Sequence, residues 1–532
     1  MTKKQLYYIL ALLIVVTAIQ SCATYYFRSN YKDANSLMHE TKNLQTKPFL
    51  KAHLKNGGIC ILNDSWQIDT TLNVVSGNGT QYDYNRRQTF QGLINIPIDS
   101  VALFETNVKI RNPEAGRITA LSLLAGLDVA VGIICITNPK ACFGSCPTFY
   151  LNENDNFHYS DAEGFSNAII PSMEYYDIDA IKSPSINKNN FSITMKNEAL
   201  ETHCVNDVKI LAYPIEKGER VFQTPSNDFY LCKNNYTLSN AKANEGNITT
   251  LLKNPDQEER FSLSDKDNLN SKEEIYLNFE NVNNSKDLGL ILHFRQTMMT
   301  TYLFYSAMGY MGDNVSEFFA RLETDAKMRN KFDATTKDLG GIDTYIWDEK
   351  TKTWMIQAQI NETGPIAINK QFIPFHNPQS GAKVKIKLVL NKGLWRLDYT
   401  ALTNIKKQVK PIELSPVSIY NKGKLDNRAL HEINAPEKYL ISMPGSEYKF
   451  NFTLPNNNIK HEFFLYSKGY YLEWMREHWI KDKDLIKLNQ MVYNPKKFLR
   501  QEAKNYKQYE SKMEQEFWNS KINTKTFSYY EN

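Results

Sequence analysis

"KVKIKLVLNKGLWRLDY", residues Lys383 to Tyr399, changes polarity at almost every step. Val384, Ile386, Leu388 and Leu390 fall on one face of an extended chain, and Lys383, Lys385 and Lys387 fall on the other. Period two is the signature of a strand with one dry and one wet side. After Asn391-Lys392-Gly393, a turn sequence, Trp395, Leu397 and Tyr399 stand opposite Arg396 and Asp398. The stretch therefore reads as a half-buried antiparallel hairpin. A second hairpin is expected in "GIDTYIWDEKTKTWMIQAQI", where polar Asp348 to Thr353 joins two aromatic-rich strands. Between Glu258 and Leu402 most of the pattern is strand. "RQTMMTTYLFYSAMGYMG" interrupts it, with Met299, Tyr302, Leu303 and Ser306 at helical spacing, and Val315 to Lys327 reads as a second helix. The fold class is mainly β and multidomain: a small N-terminal sheet, a central β-sandwich of jelly-roll type, and a helical C-terminal region.

The central unit is set at residues 256–405. The order of its hairpins, with "ETGPIA" between them and a tryptophan in the final strand, is similar to galactose-binding-like jelly rolls. That resemblance implies carbohydrate as a ligand, with Trp347, Trp354 and Trp395 as candidates for stacking on sugar rings. Aromatics in alternating strands are more often core residues than platforms, so both roles stay open. Met298, Met299, Met308 and Met311 spread around their helix, as core methionines do.

Before this unit, residues 138–255 form a cysteine-containing β domain and 57–110 a small β domain, in which Ser76-Gly77-Asn78-Gly79 is expected to make a tight turn. Gly77-x-Gly79 lacks the third glycine and the helix of a dinucleotide fingerprint. Residues 22–56, rich in Asn, Lys and Thr, read as a polar tether. After the sandwich, 406–458 reads as a connection and 459–532 as helical, including "EFFLYSKGYYLEWMREHWI". Beyond Pro495, Leu499, Ala503, Tyr506, Met513 and Phe517 line one side of a long helix, a face that packing on the chain's own sandwich would cover. Glu510 and Glu514 read as part of the solvated side.

Lys3 and Lys4 precede an apolar run from Leu6 to Ile19 that ends in Ser21-Cys22. This resembles the signal and lipobox of bacterial lipoproteins, which implies that 1–21 is a signal peptide and that Cys22 is lipidated. Ala23, where inner-membrane lipoproteins carry Asp, implies the outer membrane of a Gram-negative envelope. The chain has 63 basic and 58 acidic side chains, a formal net charge of +5. That balance excludes nucleic acid as an expected partner. With 42% hydrophobic and 12% aromatic residues, the 532-residue chain can build several cores.

Ile118 to Thr137 is apolar apart from Asp128, and reads as a buried segment or as a membrane contact. A central Asp opposes insertion by roughly 2.5–3.5 kcal/mol. Just beyond it, "NPKACFGSCPTFY" carries Cys142 and Cys146. Positions four apart on one turn lie about 6 Å from each other, close enough for a disulfide. Besides Cys22, the chain has Cys60, Cys135, Cys142, Cys146, Cys204 and Cys232, an even number for an oxidising compartment. The C-x3-C-P arrangement also resembles the copper loop of Sco-type thioredoxin-fold proteins. That implies copper on Cys142 and Cys146, with His203 as third ligand. His203-Cys204 lies on a predicted strand, where neighbours point to opposite faces and form no nucleophile pair. His39-Glu40, His431-Glu432 and His461-Glu462 lack the second histidine of a zinc HExxH motif, and no Walker loop or G-x-S-x-G elbow occurs. The expected function is therefore a non-catalytic binding or assembly component of the envelope, its partner a carbohydrate or another envelope protein, with no cofactor. The alternative is a thiol or copper site.

Overall fold

The computed structural model describes most of residues 25–110 and 147–519, together with Thr524. Residues 1–24, 111–146, 152–159, 182–188, 312–338, 474–481 and 525–532, with shorter loop stretches, lie outside the description. The readings on Cys22, Ile118 to Thr137, Cys142, Cys146 and Val315 to Lys327 fall there. The described chain is mainly β, built from several largely antiparallel sheets with helices at its C-terminal end.

The N-terminal sheet has seven strands. Tyr25–Tyr31 pairs with Val101–Ile110, which pairs in turn with Leu50–Leu54. Helix Ala34–Thr41 adds Ala34 and Leu37 to a core with Leu50, Leu62, Trp66, Val75, Ile96 and Phe104. Residues 22–56 are thus not a simple tether, because Tyr25–Tyr31 and Leu50–Leu54 are hydrogen-bonded into the sheet. The Ser76 to Gly79 turn is also corrected, since these residues lie inside strand Val74–Tyr82. Gly79 is there for close approach: a Cβ would strike the backbone of Ile61 and Leu62 on the neighbouring strand.

Two β-sandwiches make up the rest, and one is inserted into the other. The outer sandwich takes strands from 148–215 and again from 412–473. Its two long strands, Glu201–Ile215 and Lys460–Glu473, pair along their length. Lys460–Glu473 corrects the helical reading of this segment, and the supposed connection 406–458 supplies Ile412–Leu414, Ser418–Asn421, Leu440–Ser442 and Glu447–Thr453. Facing sheets enclose Phe149, Ile193, Val208, Ile210, Phe450 and Phe463.

The inserted sandwich runs from Glu219 to Gln408, so it begins ahead of residue 256. Here the opening stretch shows its geometry. Val384–Asn391 alternates between buried and half-buried as expected, but pairs with Lys272–Phe279 and Ile342–Asp348. Trp395–Gln408 pairs instead with Asp287–Gln296 and Phe229–Thr237, in the opposite sheet. The two strands are not a hairpin. They form an arch from one sheet to the other, and both point their apolar rows into the shared core. The hairpin of Ile342–Asp348 with Thr353–Ile360 does form, with Trp347 opposite Trp354.

The sheet holding Trp395–Gln408 closes on itself through Phe229–Thr237, Glu219–Gln223, Asn369–His376 and Asp287–Gln296, with a single parallel bridge from Gln223 to Gln371. Phe222, Cys232, Ile291, Phe372 and Ala401 fill the ring. At the end of the inserted sandwich, helix Met299–Met311 packs with Leu485–Tyr493 and Pro495–Asn519. Leu499, Ala503, Tyr506 and Met513 are buried in the core they share with the sandwich. Three carboxylates of this last helix also turn inward. Glu502 accepts from the Tyr302 hydroxyl, Glu510 from the Ser264 amide at 2.5 Å, and Glu514 meets Arg396 at 2.5 Å and also Arg295. Glu510 and Glu514 therefore help to dock the helix.

Candidate functional site

The three tryptophans separate. Trp395 is 1% exposed and packs edge-on against Phe294 at 5.6 Å, so it is a core residue and not a sugar platform. Its strand alternation aims it inward. Trp347 and Trp354 stand across from each other on the outer face of the other sheet, ring centroids 5.3 Å apart and edge to face. Tyr276 lies 5.9 Å from Trp354, Lys385 sits over Trp347, and Lys387 lies over Tyr345 and Trp354. Tyr276 and Ile356 are exposed on this face. The result is an aromatic patch bordered by lysine ammonium groups, which Glu274 and Glu349 partly neutralise.

His203 is fully buried, its Nε2 3.0 Å from Glu201 Oε2. Period two puts both on the same face of their strand. Among the described residues no group of three or more His, Cys, Asp or Glu side chains could hold a metal ion. Cys60, Cys204 and Cys232 are buried thiols, none of them in a disulfide. Burial pushes Cys60 up to about 11 and Cys232 up to about 12, which suppresses thiolate chemistry.

A cavity lies where the two sandwiches meet. It encloses about 310 Å³, at the lower end of the roughly 300–1,000 Å³ usual for small-molecule sites. One wall comes from the outer sandwich, with Tyr150, Ser160, Asp161, Glu462 and Phe464. The other is the open end of the closed sheet, where Arg220, Phe222, His293, Lys370, Asp398 and Tyr399 converge. A bulge creates this arrangement. His293 pairs with Tyr399 and Phe294 with Leu397, so Asp398 is the extra residue. The bulge reverses the alternation beyond it, leaving Trp395 and Leu397 in the sandwich core while Tyr399 and Ala401 turn toward the ring. Tyr399 accordingly does not share a face with Trp395.

Asp398 accepts a hydrogen bond from the Gln257 amide at 2.7 Å and lies 3.8 Å from His293 Nδ1. Burial lowers the His293 pKa below its ordinary value. Asp398 opposes this, while Lys370 and Arg220 add to it, so the ring is neutral at pH 7. Arg220 reaches across the seam to Glu462. The Ser160 hydroxyl is buried and has no hydrogen-bond partner among the described residues. Nothing in local sequence marked this cavity, because its residues, from Tyr150 to Phe464, come from segments as much as 314 positions apart.

Among the described residues no helix is long and apolar enough to cross a membrane. No protein-family model matches the chain. No curated protein matches it. Among solved structures, dimeric latent PorU from Porphyromonas gingivalis aligns with 87% of this chain at 7% identity and a TM-score of 0.14. The chain spans 35% of that protein's length, and a similarity at this level carries no argument about fold or function.

Proposed function

We propose that this chain is a non-catalytic binding component of a Gram-negative cell envelope, lipid-anchored at Cys22 in the outer membrane, with carbohydrate as its partner. The observation that supports the ligand is the outer-face pair Trp347 and Trp354, extended by Tyr276. Aromatic faces stack on the apolar C–H faces of sugar rings, and the flanking lysines and glutamates can hydrogen-bond the hydroxyl rims. An assembly role with an envelope protein could use the same patch. The copper alternative rests on Cys142 and Cys146 alone, because His203 is held by Glu201 inside the outer sandwich.

Affinity electrophoresis through gels containing soluble neutral polysaccharides tests the ligand. Retardation of the wild-type chain should be lost in Trp354→Ala, with melting temperature kept within a few degrees. Equal mobility of the two proteins in every gel would refute the carbohydrate reading. Cys22→Ser should abolish lipid labelling and release the protein from the membrane fraction; an unchanged label would refute the anchor.

A further inference from the structure

We infer that the cavity between the two sandwiches is a second binding site, separate from the aromatic face, and that its ligand is a neutral, hydroxyl-rich small molecule of the sugar type. Three observations converge on this ligand chemistry. First, the walls carry charges of both signs, Arg220 and Lys370 against Asp161, Asp398 and Glu462, with Arg220 held by Glu462 and Asp398 and Asp161 accepting from the Gln257 and Leu151 amides. A ligand with a net charge would meet like charges as well as opposite ones in the same small cavity. A neutral ligand avoids that conflict.

Second, Ser160, 6% exposed, brings a hydroxyl to the cavity wall without a partner among the described residues. A buried hydroxyl in that state favours a ligand able to donate and accept. Sugar hydroxyls do both, and carboxylate, amide and imidazole groups around the cavity offer matching acceptors and donors. Third, Phe222, Phe464 and Tyr399 supply ring faces beside these polar groups. A pyranose has the same division, with an apolar C–H face and a polar edge. The location also fits, since ligands favour domain interfaces and the mouths of closed sheets.

Isothermal titration of the full mature chain in detergent tests the proposal. The probes are glucose, galactose, mannose, N-acetylglucosamine, maltose and cellobiose, with glucose 6-phosphate, glucuronate and glutamate as charged comparators. At least one neutral sugar should bind, and more tightly than any comparator. His293→Ala should weaken that binding at least tenfold. Asn235→Trp, at an exposed lining position where the fold is not at risk, should abolish it. Trp354→Ala should leave it unchanged while removing polysaccharide retardation, so the two sites succeed or fail separately. The proposal is overturned if no neutral sugar binds, if a charged comparator binds best, if binding survives Asn235→Trp, or if it is lost in Trp354→Ala.

Discussion

Asp177 and Asp179 stand two apart on strand Tyr175–Ala180, on the same face, with Glu163 beside them. Burial, reinforced by the Glu163 charge, pushes Asp177 up to about 7 despite the hydrogen bond it accepts from Ile178. Burial and the Asp177 charge hold Asp179 well above the carboxylate range. The folded chain thus binds protons more tightly here than the unfolded chain, whose carboxyls titrate near 3.8. The stabilisation is complete below that value and is lost as pH rises through the folded-state value near 7. His293 and His461, both lowered by burial, act oppositely and cost stability as pH falls below 6.5. Asp177→Asn isolates the carboxylate effect: it should raise the melting temperature at pH 8 by about 2–4 °C, raise it less at pH 5, and have little effect at pH 3. Parallel melting profiles for the two proteins across that range would contradict it. Single residues of this kind were only partly legible. Trp347 and Trp354 could be picked out as candidates, whereas Trp395, of the same type in the same pattern, is core because its strand faces inward.

At the scale of elements, alternation identified strands well and their partners poorly. Val384–Asn391 has the burial pattern expected of it, yet a hairpin and an arch require the same alternation, since both aim one row of side chains at one core. Lys460–Glu473 was obscured by its aromatic density. Buried on much of both faces, it shows no clean period two, and a short apolar run without that period reads equally well as helix. Glycines were also ambiguous. Gly289 lies within strand Asp287–Gln296, where a Cβ would enter the ring of Phe372. Gly289→Ala should therefore destabilise the protein by about 1–3 kcal/mol, as overpacking does. Denaturant titration gives the value, and Gly289→Ala combined with Phe372→Leu should recover part of it. A loss unchanged in the double variant would place the strain elsewhere.

The two sandwiches are held together at the seam. Strand Glu201–Ile215 runs out of the outer sandwich and Glu219–Gln223 begins the inserted one; Trp395–Gln408 ends it and Ile412–Leu414 re-enters. Tyr213 stacks on Phe229 at 4.8 Å and meets Phe464 edge-on at 5.6 Å, joining the two units in one apolar cluster with Leu211, Val221 and Leu231. With two short crossings and a shared cluster, the sandwiches should unfold together. Calorimetry should show one transition for them in the wild type, and Tyr213→Ala, which removes about 3–5 kcal/mol of packing, should split it. Two transitions already present in the wild type would show that the seam does not couple them. The cavity depends on the same seam, because neither sandwich encloses it alone.

By itself the sequence determined the class of this protein: mainly β, with several cores and a terminal helix whose Leu499, Ala503, Tyr506 and Met513 needed cover. These are local properties, written in periods of two and 3.6 that any chain segment carries without reference to the rest. Only the tertiary structure decided which strands pair, that one sandwich sits inside the other, and that Glu510 and Glu514 face inward. It also brought Ser160, Arg220, His293, Asp398 and Glu462 to one cavity. Those outcomes depend on contacts between residues tens to hundreds of positions apart, and strand periodicity is the same whichever distant strand becomes the neighbour.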